Sequence, residues 1–443
     1  MEGALTQRPE PLFDPIINRP IHRLSTVVAT GAETPDPLEA IGRPPGEFLR
    51  LGRLGAFYAR SERQLPRVML REAVDVTGLK FRRWTQPASA VRQAFVWAFD
   101  VPAGPIVMVF TIDVSCDLLE LIPLLEDCYY DDITIANETV ADTVEVMLQN
   151  AAPTVGRLSL RADDQRHQFV FTSGAAASAS DDLLQRLIYR ADLDWRPEHS
   201  SICFPGELNR RPTSRAAMGA FVSVLAGQQD YIENCALLSA VQIVSAMAKV
   251  RDIRADAYAS LIDLRRLASD RPGMRTSTRR AALTQIADAA ARQELQLTFG
   301  VETAQEIGIL VPSLRVDEYH RQLAGCTGLG DNIHTVSGMV NRLISVIASE
   351  KASQDAYDVR RDDLRRLRWG IAVGILSVVA VPIGIILGYF GGNYPQVNPR
   401  ASMFSWHQYH DMYLTVLGLI VFSVAVFAVL MIRERRELRR ING

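Results

Sequence analysis

Residues 370–390 read GIAVGILSVVAVPIGIILGYF, and none of them is charged. About 20 apolar residues is what a helix needs to cross a ~30 Å hydrocarbon core. The stretch therefore predicts a membrane-spanning helix over Gly370–Phe390. A buried core helix of this composition would need an amphipathic partner to cover it. The chain supplies instead a second run of the same kind, residues 414–432, LTVLGLIVFSVAVFAVLMI. No earlier run reads this way, so two transmembrane helices are expected at the C-terminal end, with an outer loop over 391–413 and a basic tail over 433–443.

The flanks orient them. Arg360, Arg361, Arg365, Arg366 and Arg368 precede the first run, and Arg433, Arg435, Arg436, Arg439 and Arg440 follow the second. The loop between carries only Arg400. The positive-inside rule then predicts both termini in the cytoplasm. Trp369, Tyr389, Phe390, Tyr394, Phe404, Trp406, Tyr409 and Tyr413 sit where an aromatic belt meets the two interfaces. The opening MEGALTQRPEP has no apolar core of a signal peptide, so the large N-terminal part is expected inside the cell, anchored to the inner (plasma) membrane.

The 443 residues are 48% hydrophobic and 22% charged with formal net charge −2, room for two or three domains and a sizeable core. The near balance of charge argues against a nucleic-acid binder. Five cysteines lie scattered without CxxC or metal-ligand spacing, the pattern of a reducing compartment.

Upstream, residues 1–46 carry Pro9, Pro11, Pro15, Pro20, Pro35, Pro37, Pro44 and Pro45 with little periodicity and predict a mostly disordered or peripheral arm. Residues 68–212 mix β-rich runs, Ala94–Asp100 and Ile106–Val114, with a hairpin expected around Asp163-Asp164-Gln165 between Gly156–Ala162 and His167–Thr172. Helical pieces fall at Asp117–Asp127, opened by Ser115, at Ala141–Asn150 and at Asp181–Arg190. That is a cytoplasmic α/β domain. Beyond Pro212 strands are expected to disappear, leaving a helical part over 213–331. It contains a helix over Arg215–Leu267 broken near Gly227 and another over Ser277–Glu306. A stalk helix over 332–369 then runs unbroken into the membrane, since Asn332–Phe390 holds no proline except Pro382; together they would measure roughly 85 Å. In its first half Ile333, Val336, Val340, Leu343 and Ile347 form one apolar seam. Such a seam fits an oligomeric bundle, antiparallel packing within the chain, or both.

A hairpin of two spans has no interior, so conduction requires several copies around an axis. Gly370, Gly374, Ser377, Val381, Gly384 and Gly388, spaced 4, 3, 4, 3, 4, put small residues on one helix face. They read either as a pore lining or as a close helix–helix contact.

The end of the first span carries a family resemblance. Val381-Pro-Ile-Gly-Ile-Ile-Leu-Gly-Tyr-Phe-Gly-Gly-Asn393 resembles the corresponding segment of CorA-type magnesium transporters, in which a proline, a glycine and a Gly-Met-Asn signature precede an aromatic. Pro382, Gly388, Gly391 and Asn393 match, Tyr394 supplies the aromatic, and Gly392 replaces the methionine. The outer loop lacks the acidic pattern usual after the signature, its only carboxylate being Asp411. The resemblance implies a homopentamer in the lipid bilayer and passive movement of Mg²⁺ or a similar divalent cation, gated by the cytoplasmic domain, with no covalently bound cofactor. Gly391, Gly392 and Asn393 would then form the pore mouth, where a ring of amide oxygens can hold the water shell of a cation that dehydrates reluctantly. Asn393 also reads as an ordinary helix C-terminal cap.

His407, His410 and Asp411, just outside the second span, are a weaker metal candidate. Asp131-Asp132, Asp163-Asp164 and Asp181-Asp182 are candidate cytosolic cation sensors or solvated turn carboxylates. There is no P-loop, HExxH or GxSxG motif, and an enzyme is not expected. The competing expectation is a CorA-like membrane-anchored sensor or effector that does not transport, whose cytoplasmic domain binds a ligand or partner.

Overall fold

Ile21–Glu33, inside the segment expected to be a peripheral arm, is a 13-residue strand at the centre of the main sheet. The computed structural model describes residues 20–33, 41–61, 63–151, 165–172, 180–191, 201–269, 276–305, 307–391, 402 and 405–441. The strands in chain order are β1 (Ile21–Glu33), β2 (Arg67–Val74), β3 (Leu79–Lys80), β4 (Val91–Asp100), β5 (Pro105–Ser115), β6 (Thr134–Ile135), β7 (Glu138–Thr139), β8 (Arg166–Thr172), β9 (Arg215–Met218) and β10 (Val222–Ala226). The helices are α1 (Gly55–Arg60), α2 (Leu121–Tyr129), α3 (Val140–Ala151), α4 (Asp181–Tyr189), α5 (Asp230–Ser269), α6 (Thr276–Gln296), α7 (Ile307–Leu310), α8 (Leu314–Thr327), α9 (Leu329–Gly391) and α10 (Trp406–Ile441). The contacts divide the chain into two units, Met1–Ile347 and Ala348–Gly443.

In the first unit seven strands run in the order β2-β4-β5-β1-β8-β10-β9. All neighbours are antiparallel except β8 and β10, which are parallel. The period-2 alternation of a strand sorts side chains onto two faces. Leu24, Val28, Ala94, Val96, Phe110, Ile112, Val170 and Val224 face α2, α3 and α4. Val27, Ala29, Trp97, Phe99, Val109, Phe169, Phe171 and Leu225 face α5, α8 and the first turns of α9. Both faces are covered, which is why β5 and β8 are buried along their whole length. The mixed α/β domain followed by long helices is therefore present, and its core is the sheet.

β1 escapes a hydropathy reading because His22, Arg23, Ser25 and Thr26 interrupt its apolar residues. His22, Arg23 and Ser25 each have partners that make their burial tolerable. His22 bonds the Thr172 hydroxyl and the Cys116 carbonyl, both at 2.9 Å, and Ser25 bonds Thr111 at 3.0 Å. The strands also continue past Pro212. β9 and β10 complete the sheet, and Gly227, at φ +65° with its N–H on the Thr172 carbonyl, ends β10 where a helix break was expected. β8 pairs with β1 and β10, in place of the expected local hairpin; residues 156–162 lie outside the described residues. The helix expected from Ser115 opens at Asp117, whose carboxylate and that of Glu120 form a reciprocal capping box. α3 and α4 fall where expected, α4 capped by the Ser180 hydroxyl.

α5 is long and apolar enough to span a bilayer, but 83% of its apolar stretch is buried, the packing of a core helix. Its N-terminal half lies on the sheet, and Leu264 joins Leu283, Ile286 and Ala290 of α6 and Leu343 and Ile347 of α9 in a separate apolar cluster. The seam of α9 is thus covered within the chain, Ile333, Val336 and Val340 on the main core and Leu343 and Ile347 on α5 and α6.

In the second unit α9 continues to Gly391 without interruption, Pro382 included. α10 carries an apolar stretch, Tyr409–Val429, long enough to cross a membrane and only 6% buried.

Candidate functional site

The glycine-lined face of α9 does not have one environment. A Cβ on Gly374 would overlap the ring of Phe427 in α10, so this glycine admits a close helix–helix contact. At Gly370, Gly384 and Gly388 a Cβ would meet nothing within 4 Å. Ser377 donates to the carbonyl of Val373 at 2.9 Å, satisfying its hydroxyl within the helix. The side chain of Val381 lies outside the described residues. Gly391 is the last residue of α9, and Gly392 and Asn393 lie outside the described residues.

His410 and Asp411 come together, Nε2 to Oδ1 at 3.2 Å, both well exposed. His407 is separated from them by Tyr409, whose φ −123° and ψ 22° break the helical register that would align i and i+3. Among the described residues no group of three or more His, Cys, Asp and Glu is placed to hold a metal. The acidic pairs meet arginines. Asp132 pairs with Arg82 and Arg83, Asp131 with Arg166 at 2.7 Å, and Asp181 with Arg215 at 2.5 Å. Asp163 and Asp164 lie outside the described residues.

The polar feature that sequence reading missed is a cleft on the α5 face of the sheet. Alternation places Arg23 and Ser25 of β1, Arg71 of β2, Gln93, Phe95 and Trp97 of β4, and Thr111 and Asp113 of β5 on the same side. Glu233 and Leu237 of α5 and the segment Phe48–Arg50 close over them. Arg23 grips Asp113 through Nε at 2.8 Å and Nη2 at 3.0 Å and reaches Glu233 at 3.1 Å. The Gln93 amide also donates to Asp113. Burial pushes the Glu233 carboxyl up to about 7, because Arg23 opposes that penalty only in part and Asp113 already shares the same cation. The Arg23 guanidinium is correspondingly held far above its ordinary range.

Arg71 is different. Its guanidinium carbon lies 4.7 Å from the centre of the Phe95 ring and 4.8 Å from that of Trp97. Burial and the nearby Arg23 lower its pKa. No carboxylate pairs with it among the described residues, and its Nε makes no hydrogen bond. The only signal in the sequence was the alternation Gln93-x-Phe95-x-Trp97, which puts one amide and two rings on one face of β4.

No family model matches the chain. A segment of 89 residues is 35% identical to the HTH-type transcriptional regulator NimR of Escherichia coli (strain K12), covering 18% of this chain and 31% of the regulator. The chain thus spans about a third of the length of that curated relative.

Proposed function

We propose that this chain is a CorA-like, passive channel or transporter for Mg²⁺ or a similar divalent cation. It would work as a homopentamer in the inner membrane with both termini cytoplasmic, gated by its α/β domain. One observation carries this reading: the helix that contributes Ile333, Val336 and Val340 to the domain core is the same helix, unbroken, that becomes the charge-free segment ending at Gly391. A change in how the domain holds that helix has a covalent, hydrogen-bonded route to the apolar segment.

The exposed apolar side chains support a lipid environment. Leu376, Leu387, Leu417, Val421, Phe422 and Val429 are each more than half exposed in the isolated chain. A surface of that kind in water would be an aggregation liability, while in hydrocarbon it costs nothing. Two charges moving inward across 100 mV gain about 4.6 kcal/mol, so no energy coupling is needed.

A second reading, a membrane-anchored sensor or effector that does not transport, is favoured by the arginines that occupy Asp131, Asp132 and Asp181 and by a cleft whose spare charge is positive. Flux of Mg²⁺, Co²⁺ and Zn²⁺ into proteoliposomes, with growth of a magnesium-uptake-deficient host expressing the chain, separates them. Cation flux and rescue support the channel; sealed vesicles and toxicity without rescue support the sensor.

A further inference from the structure

We propose that the cleft between β1, β2, β4, β5 and the start of α5 binds a small soluble oxyanion, a carboxylate or phosphate group, with Arg71 as its principal ligand. The inference does not depend on whether the membrane hairpin conducts.

The distribution of charge within the cleft leads to it. Arg23 is paired with Asp113 and also donates to Glu233, and the rim residues Arg50 and Asp230 face each other at 3.9 Å. Arg71 is the lining cation left over. It is held in place by two aromatic rings, which fix the plane of the guanidinium and leave its N–H edge to an outside acceptor. A planar fork presented this way matches the two oxygens of a carboxylate or phosphate.

A second observation points the same way. Trp97 lines the cleft and is 5% exposed, yet its indole N–H makes no hydrogen bond. A buried donor without an acceptor costs about 1–3 kcal/mol in general, and a small shift of the indole toward an oxyanion beside Arg71 would give this closed-off N–H its acceptor. Glu233 adds to this, since a carboxyl raised to about 7 carries only part of its charge at neutral pH and repels an incoming anion less than a full carboxylate would. The cavity measures about 70 Å³, room for a headgroup of a few heavy atoms. Glu233 stands on α5, the helix whose far end packs on α6 and α9, so occupancy at one end of α5 bears on an element that also holds the stalk.

The test is isothermal titration of the full chain in detergent micelles with inorganic phosphate and, separately, acetate, against sodium chloride at equal ionic strength. Saturable binding of phosphate, acetate or both is expected, weakened about tenfold or more by Arg71→Gln and less by Arg71→Lys, which keeps the charge and loses the fork. Trp97→Phe, which keeps the ring and removes the N–H, should also weaken it. Undiminished binding in Arg71→Gln, or no saturable heat from either anion up to roughly 50 mM, where even a weak charge-assisted site would fill, overturns the proposal. Should Arg71→Gln not fold, unchanged binding in both Arg71→Lys and Trp97→Phe overturns it equally.

Discussion

Arg23 and Asp113 stand directly opposite one another on β1 and β5, joined by two parallel hydrogen bonds of 2.8 and 3.0 Å in the interior of the sheet. A pair of this kind is destabilising to break and far less so to replace.

Asp113→Ala should therefore cost at most about 3–5 kcal/mol, because it leaves the buried guanidinium with Glu233 alone. Arg23→Met with Asp113→Leu should recover most of that loss, since Glu233 can remain protonated when its cation is gone. Hydrogen exchange of the β1 and β5 amides reads both directly. Equal protection in wild type and Asp113→Ala would contradict the prediction.

pH acts on this core in two opposed directions. His22, His167 and His320 are buried and lowered to about 4, against 6.5 when unfolded. Each is neutral in the fold, so its contribution is complete above pH 6.5 and is lost as pH falls from 6.5 toward 4. Glu233 is raised, from 4.5 to about 7, so its contribution is complete below 4.5 and is lost as pH rises toward 7. Thermal melts should show acid destabilisation below about pH 6.5 governed by the three histidines. Glu233→Gln should gain on wild type, by at most about 3 kcal/mol, as pH rises from 4.5 to 7. A mutant-minus-wild-type difference that is flat across that range would exclude the raised carboxyl.

Gly374→Leu should disrupt the contact with Phe427 and lower the melting temperature of the detergent-solubilised chain. Phe427→Ala should restore it in part by making room. Additive losses in the double variant would mean that the two residues do not share a contact.

If Asn393 forms the outer ring of a pentameric pore, Asn393→Asp places about five carboxylates at one constriction and must alter selectivity among Mg²⁺, Co²⁺ and Zn²⁺. Asn393→Ala should reduce ion capture while assembly persists. Were Asn393 a helix cap alone, the alanine variant would lose about 1 kcal/mol of local stability and keep its selectivity. A detergent-corrected mass of a monomer or dimer would remove the pore altogether.

Topology has its own test. In a variant without the native cysteines, one placed at Ser402 should react with an impermeant reagent added to intact cells, and one placed at Gly443 should not. The opposite labelling pattern would reverse the orientation.

The strands β4 and β5, the helices α3, α4 and α9 and the apolar C-terminal stretch were legible because each is decided locally, by period, breaker or length. β1 was not. Its burial depends on His22, Arg23 and Ser25 finding Thr172, Asp113 and Thr111 far along the chain, and no local pattern announces those meetings. β9 and β10 are too short to outweigh the helical run after them. The cleft was hidden for the same reason as β1: its residues come from four strands and a helix, and Arg71 acquires its meaning only when Phe95 and Trp97 lie beneath it.

The central place of β1 also sets an order in time. Among the described strands of the sheet it is made first, and one of its two neighbours, β8, lies about 150 residues later, as the pairing of His22 with Thr172 shows. At about 5–20 residues per second of synthesis, its paired edge stays unsatisfied for on the order of ten seconds. During that interval Val27-Val28-Ala29, a short run fit for β pairing, is open to other nascent chains. The last strand of the sheet ends at Ala226, well before Gly370 is made, so the sheet can close before the charge-free segment of α9 leaves the ribosome. Slower translation lengthens that wait and should therefore lower the yield of folded chain.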